Sequence, residues 1–140
     1  MVKYTLGFIF TRDLKKVLLI KKLHPKWQRG KLNGLGGKIE KGETTLESIT
    51  REVKEESDLD IEKTAWLFIG IFNSSEWIVE IFASLYKGNP NDAKSIEKEK
   101  VKWVNAKNLP KNALENLQWL LPFILFKLQT NSKQTFTVKY

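Results

Sequence analysis

Residues 2–10 form an apolar and aromatic run, VKYTLGFIF, followed by a polar stretch at 11–16 and a second β-prone run at 17–22. This pattern predicts a β-hairpin. Residues 23–31 are broken by Pro25 and Gly30 and read as a loop that carries Trp27. In residues 32–40 glycines alternate with Leu35 and Ile39, which predicts a strand whose backbone something else approaches closely. From 44 to 57 no Gly or Pro interrupts, and Leu46, Ile49 and Val53 recur at i, i+3 and i+7. That spacing predicts a helix with one apolar stripe against a core.

The second half alternates in the same manner. Residues 61–72 and 77–87 read as paired strands around a polar turn at 73–76, 88–95 as a surface loop, 99–104 as a further strand and 105–112 as a connection. Residues 114–129 predict a second helix, apolar along Leu117, Leu120, Leu121, Ile124, Leu125 and Leu128, with Pro122 limiting its regularity near the start. Residues 135–140 predict a last short strand, and no internal repeat or low-complexity stretch occurs. A chain of 140 residues is expected to form a single domain spanning 1–140.

The charge distribution sharpens the picture. The net charge is +8, but residues 21–41 alone carry a net +6 and residues 43–62 a net −6, so a basic loop leads directly into an acidic helix. Lysines for phosphate oxygens beside carboxylates for bound cations are the requirements of a polyphosphate site. A binder of nucleic-acid backbone would have no use for the acidic half, so nucleic acid is not the expected partner. With no Cys, thiol catalysis and a Cys metal site are excluded, and the single His24 argues against a His-ligated metal. The amino terminus lacks the apolar core of a signal peptide, and the apolar run at 117–126 is too short to span a bilayer. The expectation is a cytoplasmic protein without a membrane partner.

On the helix at 44–57, Glu52, Glu55 and Glu56 fall within about 100° of one another, to one side of the apolar stripe. Like charges at this spacing destabilise a helix by a few tenths of a kcal/mol per pair, so a neutralising partner is expected. Mg²⁺ or Mn²⁺ takes carboxylate oxygens and keeps positions for water and phosphate, and the neighbouring glycines offer backbone groups to the same site.

Written as G-x5-E-x7-R-E-U-x-E-E, with U apolar, the pattern is met by Gly37, Glu43, Arg51, Glu52, Val53, Glu55 and Glu56. It resembles the signature of the Nudix hydrolase family. That signature continues x-G-U where this chain has Ser57, Asp58 and Leu59; Asp tolerates the left-handed conformation that the Gly would supply. The run Leu32-Asn33-Gly34-Leu35-Gly36-Gly37-Lys38-Ile39 resembles the entry to this box in MutT-type purine nucleotide sanitisers, the 8-oxo-dGTP diphosphatase group. Trp103 before Leu109-Pro110, and Trp119 with Pro122, are looser matches.

The resemblance implies an α+β fold, a mixed β-sheet sandwiched between helices in an α/β/α arrangement. It implies Mg²⁺- or Mn²⁺-dependent hydrolysis of a nucleoside triphosphate or related polyphosphate by a monomer or homodimer. Glu52, Glu55 and Glu56 would hold the metals with the carbonyl of Gly37, and Glu52 would assist deprotonation of water. Arg51 would orient the glutamates and Glu43 would fix the loop. Asn33 and Asn116 would read the base, with Gly36, Gly37, Lys38 and Trp27 as further substrate contacts. Asn33 can instead be turn chemistry, Asn116 a helix cap, and Trp27 a lid over the core. Glu97 and Glu99 are candidates for an extra metal-binding or basic carboxylate, against the plainer reading of a solvated charge run. Alternatives on the same fold are another nucleoside diphosphate derivative (a dinucleoside polyphosphate, ADP-ribose or an RNA 5′ end) as substrate, and a module that binds without turnover.

Overall fold

A computed structural model describes residues 1–140. Its spine is β1, Val2–Thr11, which is apolar almost throughout because it is covered on both faces. Phe8 and Phe10 point into one core and Ile9 into the other, as the two-residue period of a strand requires. Along one edge β1 pairs in parallel with β6, Trp77–Tyr86, over ten residues from Val2↔Trp77 to Thr11↔Tyr86.

The other edge is shared. β2, Lys16–Lys21, takes the end of β1 (Ile9↔Leu18, Phe10↔Val17), and β4, Leu35–Lys38, takes its beginning (Tyr4↔Lys38 to Gly7↔Leu35). Between them β3, Leu32–Asn33, pairs with β2, so the single strand predicted over 32–40 is split in two. The split falls at Gly34, where a Cβ would stand 2.8 Å from the Gly7 carbonyl oxygen and 2.9 Å from the Phe8 ring. The backbone turns this corner only because no side chain is there.

β5, Leu67–Asn73, pairs with β6, and β7, Lys100–Asn105, with β2, both antiparallel; β8, Phe136–Lys139, pairs in parallel with β5. Helix α1, Thr45–Ser57, covers one face through Ile49 and Val53, against Ile9, Leu18 and Leu35. Each such fully buried side chain contributes roughly 1.5–3 kcal/mol of transfer free energy. Helix α2, Leu117–Thr130, covers the other face through Leu117, Leu120, Leu121 and Ile124, against Phe8, Phe10 and Leu19. The α+β sandwich is therefore present.

Two boundaries differ from expectation. The strand predicted from residue 61 starts at Leu67, because Lys63–Ala65 form a 3₁₀ turn and Trp66 is turned inward, its indole N–H donating to Thr50 Oγ1 at 3.2 Å. Helix α2 starts at Leu117 rather than 114, because the preceding backbone is already committed to β3: the Leu114 N–H donates to the Leu32 carbonyl and Ala113 bridges Leu32. No helix is long and apolar enough to cross a membrane.

Candidate functional site

Helix α1 is fixed at both ends by local chemistry. Thr44 caps it, accepting from the Glu47 N–H while the Glu47 carboxylate accepts from the Thr44 N–H. Asp58 ends it at φ 65, ψ 9, the left-handed geometry expected for the position. With Ile49 and Val53 buried, the edge carrying Glu52, Glu55 and Glu56 turns toward β4.

There the glycines matter. Gly36 donates its N–H to Glu56 Oε1 at 2.9 Å. The Glu52 carboxylate lies against Gly37, where a Cβ would meet its oxygens at 2.6 and 2.9 Å. The two carboxylates are thus set over consecutive backbone units of one strand. Thr5 Oγ1, beneath them, donates to the Gly37 carbonyl at 3.5 Å and bonds the buried Ser48 hydroxyl at 3.3 Å.

Arg51 is the hub of the acidic edge. Its guanidinium forks onto Glu43, Nε to Oε2 at 2.6 Å and Nη2 to Oε1 at 2.9 Å, while Nη1 donates to Glu52 at 3.0 Å and Glu55 at 3.1 Å. Glu43 also accepts from the Glu40 N–H at 2.8 Å. Its hydrogen bonds from Arg51 hold its pKa down at about 2. The neutralising partner of the helix edge is therefore in part Arg51 itself, though it lies outside the arc of the three glutamates. No three Asp, Glu or His side chains stand at metal-ligand separation, and Arg51 sits between Glu52 and Glu55.

The oxygen-only donor set, Glu52, Glu55 and Glu56 with the Gly37 carbonyl, nevertheless fits a hard divalent cation. The electrostatics agree. Burial pushes the Glu56 carboxyl up to about 8, against the opposing Gly36 hydrogen bond, and burial likewise raises Glu52. Glu55 is half exposed.

A pH dependence follows for the metal-free protein. The folded pKa of Glu56 lies above its unfolded value, so folding is favoured fully below the unfolded pKa and that stability is lost as pH rises through about 8. Melting temperature without divalent ions is expected to fall by several degrees between pH 5 and pH 8, and Mg²⁺ is expected to restore it most at the upper end. Thermal melts with EDTA and with Mg²⁺ across this range check both.

The residues predicted to meet the base stand on separate elements: Asn33 on β3, Asn116 before α2 and Trp27 on a 3₁₀ turn. The Asn33 carbonyl accepts from the Gly34 N–H at 2.8 Å and its amide donates to Gln28 Oε1 at 3.2 Å. Turn chemistry thus occupies part of the Asn33 amide. Asn116 occupies the N-cap position of α2, as its plainer reading has it, with its backbone carbonyl accepting from the Trp119 and Leu120 N–H groups, but its side chain makes no capping hydrogen bond. Trp27 is 71% exposed on the 3₁₀ turn Lys26–Gln28, which removes the lid alternative. Lys38 is exposed, and its carbonyl accepts from Arg51 Nη2 at 3.4 Å.

Glu97 is exposed, but Glu99 is not a solvated charge. It accepts from the Leu23 N–H at 2.6 Å and the His24 N–H at 3.2 Å, and pairs with Lys22 Nζ at 3.2 Å. Burial, which raises its pKa, is outweighed by these donors, and the carboxyl is held below its usual value. This clamp, which ties the Trp27 loop to β7, had no signal in the sequence because its partners are 76 residues apart. The Thr44/Glu47 capping box was legible as a motif and was not singled out.

A surface concavity of about 420 Å³ lies away from these residues, between the loop after β7 and the outside of α2, beside Leu109, Pro122 and Phe126. The chemistry is not there: it offers no carboxylate and no concentration of hydrogen-bond donors.

A family model described as the NUDIX domain matches residues 2–123. No curated protein matches the chain. Among solved structures, the chain is similar to a NUDIX hydrolase from Nitrosomonas europaea, with a TM-score of 0.79 at 15% identity, over 99% of this chain and 78% of that one. It is similar to a MutT protein from Bacillus halodurans, with a TM-score of 0.72 at 24% identity, over 100% and 90%. A C. elegans Ap4A hydrolase gives a TM-score of 0.70 at 21% identity, over 92% and 98%.

Proposed function

The chain belongs to the NUDIX domain family, hydrolases of pyrophosphate bonds, and from that premise we propose that it is a Mg²⁺- or Mn²⁺-dependent nucleoside triphosphate pyrophosphatase. Its substrates would be purine nucleotides, oxidised ones such as 8-oxo-dGTP among them, and its products a nucleoside monophosphate and pyrophosphate. The observation that carries the reading is the placement of Glu52 and Glu56 over the Gly36–Gly37 backbone, where a basic loop meets an acidic helix.

Nudix hydrolases generally use divalent ions; bound here, the metal would supply charge to screen the phosphates and lower the pKa of water. Glu52, Glu55, Glu56 and the Gly37 carbonyl are the groups to hold it. Arg51 keeps Glu52 and Glu55 in place, and Glu43 keeps Arg51 in place. Arg51 engages Oε1 of Glu52, which leaves Oε2 to take the proton of the attacking water; burial of this carboxylate raises its proton affinity. Lys38 faces the polyphosphate; Gly36, expected as a further contact, has its N–H engaged by Glu56 and serves to set that carboxylate instead. Asn33 and Asn116 meet the base edge, since an amide carries a donor and an acceptor together, and Trp27 offers its ring beside them. Free nucleotides as substrates fit a cytoplasmic enzyme, and a monomer or a homodimer would serve.

The test is a panel of 8-oxo-dGTP, dGTP, dATP, dCTP and a dinucleoside tetraphosphate, each with Mg²⁺ or EDTA, with products identified. Turnover is expected only with the metal, with purine triphosphates preferred and the preference reduced in Asn33→Ala. Hydrolysis that persists in EDTA would refute the mechanism. Preference for the dinucleoside substrate would keep the hydrolase and replace the substrate; binding without turnover would leave a nucleotide-binding module.

A further inference from the structure

The Asn33 side chain is engaged on two sides. Oδ1 accepts from the Gly34 N–H at 2.8 Å, and Nδ2 donates to Gln28 Oε1 at 3.2 Å. A primary amide carries two lone pairs on its oxygen and two N–H groups on its nitrogen, so these contacts use one of each. What remains is one acceptor and one donor side by side, on a residue that is only partly buried.

Gly34 sets the sense of that edge. Its N–H can only donate and Gly34 is buried, so turning the amide over would set Nδ2 against it and strand a buried donor. Gln28 closes the other side. Its own backbone is anchored at both groups: the N–H donates to the Pro25 carbonyl at 2.9 Å and the carbonyl accepts from the Lys31 N–H at 2.8 Å. The loop around it is drawn shut by the Gly30 N–H on the Lys22 carbonyl and by the Glu99 carboxylate on the Leu23 and His24 N–H groups. Gln28 therefore reaches Asn33 from a fixed backbone and can orient it.

We propose that Gln28 is a positioning residue for Asn33, and that the pair makes the site discriminate between 6-oxo and 6-amino purines. The inference rests on the reading of Asn33 as the group that meets the base. On the Watson–Crick edge a 6-amino purine offers a donor at N6 and an acceptor at N1, and a 6-oxo purine offers them in the reverse order. An amide free to turn pairs with either. One whose sense is fixed pairs with the first or the second and leaves the other with donor against donor. In this role Gln28 touches neither base nor phosphate: it keeps Asn33 from swinging out of place, as a supporting hydrogen bond does for any reading group.

The experiment measures kcat/KM for dGTP and dATP with Mg²⁺ on the full chain and takes their ratio, in which any uniform loss of folded protein or of hydrolysis cancels. The parent is expected to favour one of the two by about fivefold or more. Gln28→Leu keeps the bulk and removes the acceptor, and should bring the ratio about threefold or more closer to one, the worth of a hydrogen bond. Gln28→Glu keeps an acceptor at the same reach and should hold the ratio at or beyond the parental value; its added charge acts on two equal triphosphates and drops out. Asn33→Ala should collapse the ratio. If Asn33→Ala leaves it unchanged, the reading of Asn33 fails and the inference falls with it. If Asn33→Ala collapses the ratio and Gln28→Leu does not move it, the inference alone is overturned. A parental ratio near one, or a Gln28→Glu variant that falls as far as Gln28→Leu, would overturn it as well.

Discussion

Glu56→Gln is expected to lower turnover at saturating Mg²⁺ by at least ~10²-fold while the protein stays folded. The substitution keeps the shape and an oxygen to accept the Gly36 N–H, and removes only the charge. Electrostatic stabilisation lost at one such group is commonly worth about 3–4 kcal/mol, which is the origin of the factor. Stability should move the other way: the carboxyl is buried, burial raises its pKa to about 8, and Glu52 beside it repels its ionised form. A neutral amide escapes that cost, so the metal-free variant should melt at or above the parent near pH 8, and the gain on adding Mg²⁺ should shrink. Near-parental turnover together with an undiminished Mg²⁺ effect on melting would remove Glu56 from the metal site.

The second large effect is on folding. Gly36 has φ +148, and a Cβ there would lie 2.0 Å from the Thr5 carbonyl oxygen, a backbone atom that cannot rotate away. Gly36→Ala must therefore break the β1–β4 register at Leu6↔Gly36. A cost of roughly 4 kcal/mol or more is expected, a large part of the 5–15 kcal/mol that keeps a domain folded. Gly42→Ala is the control: its φ is +82 but nothing lies within 4 Å of the new atom. There only backbone strain of about 1–2 kcal/mol applies. Urea unfolding of the two variants should show a clear gap, and equal losses would mean that β4 can shift without consequence.

How much of this could be seen beforehand depends on the range of the interaction. Helix α1 was legible because Leu46, Ile49, Val53 and the three glutamates are related by a period inside one element. The strand at 32–40 was legible as a close-approach segment, but its break at Gly34 depends on Phe8 and Gly7, more than twenty residues away. The start of α2 was misplaced because Leu114 is apolar enough to continue the helical pattern, while its N–H is used by Leu32. The Glu99 clamp joins a carboxylate to backbone N–H groups 76 and 75 residues away, which no local window contains. Asp58 is the reverse case, a departure from the family pattern whose consequence could be derived from the residue type alone.

The shared edge of β1 has a consequence for how such a protein can change. β2 and β4 hold opposite ends of one strand, and the chain between them leaves and rejoins the same ladder. Between the Glu99 clamp on Leu23 and His24 and the buried Leu32 of β3, residues 25–29 form a tip that lies outside that ladder. They can lengthen, shorten or be rewritten by mutation with little effect on where Gly36, Gly37 and the glutamates stand. The tip that carries Trp27, which the proposed reading sets beside the base, is thus free to drift, while the Gly36–Gly37 strand and α1 are held by packing as well as by the chemistry proposed for them. A lineage built on this arrangement can acquire a new substrate by altering one loop, without passing through a form that has lost its hydrolytic centre.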